Sequence, residues 1–146
     1  MRLKNLAAVA VVLLSGCANF NYGEPFKEPE PSEDKATLVF FESNWPNSQI
    51  PVAVAVDGRV VASINPQGYK VVPWKTFGKQ VFHTSSRMVD LRRIYDIRPG
   101  EIYYMRVHCY GMPVGHYCKI EPIPRVDAFK ALTTYRESVG IVDDGD

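Results

Sequence analysis

The chain has 146 residues, with 17 lysines and arginines against 16 aspartates and glutamates, for a net charge of +1. That length sets a scale of about one small domain, and the balanced charge gives no electrostatic footprint for nucleic acid. Three cysteines and three histidines bound the metal and nucleophile chemistries that stay open.

Met1 to Cys17 reads MRLKNLAAVAVVLLSGC. Arg2 and Lys4 form a short positive region ahead of the apolar run Leu6–Leu14. The run is far shorter than the ~20 residues that span a bilayer, but it suits the core of a signal peptide. Leu14-Ser15-Gly16-Cys17 follows the lipobox pattern of bacterial lipoproteins. The expectation is a signal peptide over residues 1–16 and a lipidated Cys17 at the mature N-terminus; the alternative is a plain secretory signal with an incidental cysteine. A lipoprotein cysteine carries three acyl chains, enough for stable anchoring where one gives only marginal binding. Loss of Arg2 and Lys4 on cleavage would leave the two signs of charge within one of each other. Ala18 in place of Asp resembles an outer-membrane sorting signal, so the expected location is the outer membrane, facing the periplasm.

Residues 17–35 follow as a lipidated cysteine and a Pro/Glu-rich tether. Pro25, Pro29 and Pro31 alternate with Glu24, Glu28, Glu30 and Glu33. Such a composition prefers extended polyproline-like conformations. At ~3.1 Å per residue it would hold a domain up to about 50 Å from the lipid. At the other end, residues 141–146 form an acidic tail.

Residues 36–140 carry mostly strand signals. Ala36–Ser43 is rich in strand formers. VAVAV and RVVAS flank Asp57-Gly58, the dipeptide favoured in a two-residue type I′ turn. Further strands are expected at Tyr69–Pro73, Lys79–Thr84, Met88–Asp96, Glu101–Tyr110 and His116–Ile123, with Pro99-Gly100 as a turn. Seven or eight short strands at this spacing predict a mainly β fold, a small antiparallel β-sandwich. One C-terminal helix is expected over 126–139, with Pro124 and Asp127 at its start, Gly140 as its stop, and Phe129, Leu132, Tyr135 and Val139 as its apolar stripe. Pairing across the Asp57-Gly58 turn puts Val52, Val54, Val56 and Val61 on one face and Ala53, Ala55, Val60 and Ala62 on the other. The small-residue face is expected to lie under the helix or a long loop.

The AxLxFF stretch at Ala36, the VAVAVDGRVVASI hairpin, RPGEIYYMRV at Arg98–Val107 and the lipobox together resemble a family of small bacterial lipoproteins, known as a domain of unknown function (number 2846). The resemblance covers roughly residues 36–123, and similar turns occur in PEGA-type and other transthyretin-like sandwiches. It implies a sandwich fold and an envelope location, and names no activity or site residue. VVPWKTFGK departs from the pattern, which carries a second Pro-Gly turn there.

The stretch HCYGMPVGHYC, His108 to Cys118, raises the question of chemistry. With Cys17 assigned to lipid, Cys109 and Cys118 are an even pair in an exported chain, which favours a disulfide. A hairpin centred between Pro113 and Val114 sets Cys109 opposite Cys118, and a non-hydrogen-bonded rung would suit the bond. In that register His116 shares their face and His108 points away, so only three of the four ligands of a tetrahedral metal site converge. Free thiols and metal are the alternatives. The tip, Gly111, Met112, Pro113, Val114 and Gly115, is the candidate contact loop.

No GxSxG, HExxH, P-loop or GxGxxG motif occurs. Ser85 and Ser86 near His83 read as a strand end or loop more than as a nucleophile and base. Asp90, Arg92, Arg93, Asp96 and Arg98 read as a solvated face. Tyr104, Tyr110 and Tyr117 read as cross-strand aromatics, with sugar stacking as the alternative. The sequence therefore predicts a non-enzymatic, lipid-anchored envelope protein with no catalytic residue, no cofactor and no metal. Its expected partners are the membrane, through the lipid, and an unknown envelope protein or glycan, but not nucleic acid. The alternatives are an inhibitor of a lysozyme-type cell-wall hydrolase and an accessory subunit of a secretion or surface machine.

Overall fold

The computed structural model describes residues 21–42, 51–84, 91–112 and 115–139, with side chains except between 111 and 116. The expected signal peptide, Cys17, Ser85-Ser86, Asp90, Gly140 and the acidic tail lie outside the described residues, as do Pro113 and Val114.

Ten strands and one helix are described: β1 Tyr22–Pro25, β2 Ala36–Glu42, β3 Val52–Val56, β4 Arg59–Ile64, β5 Gly68–Trp74, β6 Gly78–Thr84, β7 Arg93–Ile97, β8 Ile102–Met112, β9 Gly115–Pro122, α1 Arg125–Leu132 and β10 Arg136–Ser138. They form a sandwich of two sheets, a six-stranded one ordered β1-β10-β5-β2-β8-β9 and a four-stranded one ordered β4-β3-β6-β7. The expected sandwich with a C-terminal helix is therefore present. The larger sheet is mixed rather than antiparallel, because β2 runs parallel to β8 and β10 parallel to β5. Between β2 and β8 the chain crosses to the other sheet and returns twice, and such crossovers permit parallel neighbours that no hairpin could join.

Between the sheets lie Leu38, Phe40, Val72, Met105, Val107 and Ile120 from the larger one and Val54, Val56, Ile64 and Phe82 from the smaller. All seven residues of β2 are buried. Leu38 and Phe40 enter the sandwich, whereas Val39 and Phe41 lie in a second cluster on the outer face with Tyr69, Tyr104, Ala128, Leu132 and Tyr135. Burial on both faces explains why ATLVFFE is an unbroken apolar run and not an alternating one.

The Asp57-Gly58 turn has φ of 49° and 82°, as a type I′ turn requires. Asp57 is pinned to β6: its Oδ1 accepts from Val81 N–H at 2.8 Å, and its own N–H donates to Val81 O. Away from the turn the hairpin contains a bulge. Ala55 pairs with Val60 and Val54 with Ala62, which leaves Val61 as the extra residue. The side chains after it change face. Ala62 and Ile64 join Val52 and Val54 in the core, against the expectation that Ala62 lies on the opposite side.

The helix is shorter than expected and lies elsewhere. It ends at Leu132, where Thr134 N–H bonds to Ala131 O and Tyr135 N–H to Leu132 O. These i→i−3 bonds tighten the last turn, and the β-branched pair Thr133-Thr134 does not favour continuation. The chain then re-enters the sheet as β10; Tyr135, just before it, covers Phe41, and Val139, just after it, is left exposed. The helix covers the outer face of the larger sheet through Ala128 and Leu132, not the small-residue face of the hairpin.

The expected tether is not free from Tyr22 onward. β1 pairs with β10, and Phe26 inserts edge-on between Tyr69 and Phe129, at 5.1 and 5.4 Å between ring centroids. Tyr69 Oη donates to Glu24 O and Pro25 O. Pro25 suits an edge strand because its missing N–H deprives the ladder of nothing. Residues 22–35 are thus a strap across the outer face.

Candidate interaction face

Side-chain alternation along β8 and β9 divides the ladder into two faces. Met105, Val107, Cys109, Cys118 and Ile120 enter the sandwich. Arg106, His108, Tyr110, Tyr117, Lys119 and Glu121 occupy the outer face, facing one another as Arg106–Glu121, His108–Lys119 and Tyr110–Tyr117. The strap and α1 cover Tyr104 on the same face, so the polar ladder is its open part.

On the core side Cys109 and Cys118 are joined by a disulfide across directly opposed rungs, with Cα atoms 4.0 Å apart. That spacing belongs to the narrow, non-hydrogen-bonded pairs of an antiparallel ladder. The cysteines are therefore bonded to each other and supply no thiolate to a metal. The outward carbonyls of β9 are also occupied. Thr84 Oγ1 donates to Cys118 O at 2.9 Å, and Tyr95 Oη to Ile120 O at 2.8 Å. Two side chains of the smaller sheet thereby cap acceptors that an added strand would need.

The outer face is a connected set of contacts. Tyr110 and Tyr117 stack with centroids 4.8 Å apart and planes 18° from parallel. His108 meets Tyr110 edge-on at 4.4 Å, and Lys119 Nζ lies 5.5 Å from the centre of the Tyr110 ring, within cation–π range. The Arg106 guanidinium binds the Glu121 carboxylate, which also receives Lys119 Nζ at 3.0 Å. Hydrogen bonding from Arg106 holds the Glu121 carboxyl below its usual range. Burial, reinforced by the positive charges of Arg106 and Lys119, pushes His108 down, so its ring is neutral at pH 7. Tyr110 and Glu121 hold Lys119 above the usual lysine range. Charges and rings here satisfy one another, an arrangement suited to recognition by contact.

Strap, sheet and helix also enclose a cleft of about 450 Å³ lined by Glu28, Pro31, Ile102, Tyr104, Ile123 and Arg125 among others. Arg125 places Nε and Nη2 each 2.6 Å from the two carboxylate oxygens of Glu28, a bidentate pair, and Tyr104 Oη donates to Glu28 Oε1 at 3.0 Å. Burial, with donation to Glu28, pushes the Tyr104 hydroxyl up to about 12. The phenol stays protonated at neutral pH, and the cation and carboxylate hold each other.

The three tyrosines considered for sugar stacking separate. Tyr104 is buried under Phe129, whereas Tyr110 and Tyr117 face each other as a cross-strand pair. The candidate contact loop stands at the far end of the ladder, where Gly111 pairs with His116 and Met112 with Gly115; its side chains lie outside the described residues. His83 sits on β6 opposite Ala55. The Glu28–Arg125–Tyr104 link was missed in the sequence. Its one local signal is Phe26, a large apolar residue inside a Pro/Glu run.

No family matches the chain, and no curated protein or solved structure is similar to it.

Proposed function

We propose that the protein is a lipid-anchored lipoprotein of the bacterial envelope and acts as a non-enzymatic contact module. The observation that carries this reading is the division of its cysteines. Two are joined and buried at the edge of the core, as suits an oxidising compartment. The third, Cys17, stands in the lipobox. The open β8–β9 ladder supplies a mixed aromatic and charged surface for an envelope protein or glycan. In both the ladder and the cleft the ionised groups are matched by partners, which favours binding over proton transfer. Cells producing the chain should incorporate radioactive palmitate into it, and Cys17→Ala should abolish the label. Label retained in that variant would contradict the anchor.

A further inference from the structure

The docked strap fixes how far the domain can stand from its own anchor. Between Cys17 and Tyr22 stand only Ala18, Asn19, Phe20 and Asn21. A fully extended chain spans at most about 3.6 Å per residue, so Cys17 stays within about 18 Å of Tyr22. The tether expected from composition would have reached about 50 Å.

The point of attachment is held in place. Asn21 O accepts from Val139 N–H at 3.1 Å and from Asn65 Nδ2 at 2.9 Å, and Tyr22 Oη donates to Pro66 O. These bonds fasten the chain beside the Asn65–Gln67 turn, which joins the two sheets at one end of the sandwich. Tyr22 and Val139 are 41% and 53% exposed there. An exposed tyrosine beside an apolar side chain suits the headgroup level of a bilayer.

From this geometry, and resting on the lipid-anchor reading above, we infer that this end of the sandwich is a lipid-facing surface. Tyr22, Val139 and the Pro66-Gln67 turn face the bilayer that holds Cys17, and the domain is held against the membrane instead of reaching away from it. The opposite end, with Lys75 after β5, points outward. Gln67 and Lys75 flank the seven residues of β5 and so stand about 25 Å apart.

The test uses the full-length lipidated chain, purified from bacterial membranes. A fluorophore is placed on Gln67→Cys or Lys75→Cys, and the protein is put into phosphatidylethanolamine–phosphatidylglycerol vesicles doped with a nitroxide-headgroup lipid. Emission should be largely lost at position 67 and retained at position 75. A spacer of about ten Gly/Ser residues inserted between Ala18 and Asn19 should restore emission at 67. Protein that does not float with the vesicles would overturn the anchor and this inference together. Protein that floats but is quenched equally at both positions, or more at 75, would overturn the orientation alone. Quenching at 67 that survives the spacer would overturn the short link as its cause.

Discussion

Cys109 and Cys118 lie on a rung where the two backbones are already close, and nine positions separate them in sequence. A bond across so short a loop acts mainly on the unfolded chain, and loop-closure entropy puts its contribution at about 2–3 kcal/mol. The double variant Cys109→Ala/Cys118→Ala should therefore unfold at a clearly lower urea concentration by a difference of that size. An unchanged midpoint would contradict the role given to the bond. This pairing was legible in the sequence because cysteine count and strand parity are local or countable facts. Parity also put His108 on the opposite face. Gly68 was not legible in the same way. A Cβ there would lie 2.2 Å from Ser138 Oγ and 2.9 Å from Asn65 O, and the nearer of these two partners, Ser138, is 70 positions away in sequence. The segment VVPWKTFGK is held by a similar detail. Trp74 Nε1 donates to Gln80 Oε1 at 2.7 Å, and Gln80 Nε2 donates to Thr76 O.

The strap is the element that composition misread. Proline and glutamate argue for an extended, solvated chain, yet one phenylalanine between two aromatic rings and one ion pair dock it. Glu28 and Arg125 are 97 positions apart, so no local pattern announces the contact. Its pH dependence follows from the carboxylate. The hydrogen bond from Arg125 lowers the pKa of Glu28 in the folded protein. A carboxylate lowered on folding stabilises the docked state above its ordinary pKa and loses that contribution as pH falls through the folded value. Hydrogen exchange of peptides within residues 22–35, corrected for the intrinsic rate, should therefore accelerate as pH drops below about 4. Glu28→Gln should show the faster exchange already at pH 7. Equal protection of both chains across that range would show that the pair does not hold the strap. The short helix follows the same logic. Phe129, Leu132, Tyr135 and Val139 have helical spacing, but Tyr135 is buried by packing on Phe41 from a turn. The only local hint was Thr133-Thr134. The Asp57-Gly58 turn was legible down to its backbone angles, because its chemistry is contained in two residues. The bulge at Val61 was not, because a turn fixes only the first rungs of its ladder.

At the scale of the molecule, the sandwich arises from β2 being covered twice: by the smaller sheet on one side, and by α1 and the strap on the other. The β9 edge is capped by Thr84 and Tyr95, and the β1 edge carries Pro25. On the outer face of the larger sheet, the ladder from Arg106 to Tyr110 and from Tyr117 to Glu121 stays open, with aromatic rings and charges in fixed positions. The proposed oxidising compartment would account for a buried disulfide in a small domain, and the proposed lipid attachment for the one cysteine left over. Both claims meet in one quantity, the intact mass of the protein extracted from bacterial membranes under non-reducing conditions. The account predicts a chain beginning at Cys17, heavier than its sequence by a diacylglyceryl group and an N-linked acyl chain, and lighter by the two hydrogens of the Cys109–Cys118 bond. A chain of unmodified mass, whether still carrying residues 1–16 or cleaved elsewhere, would contradict it.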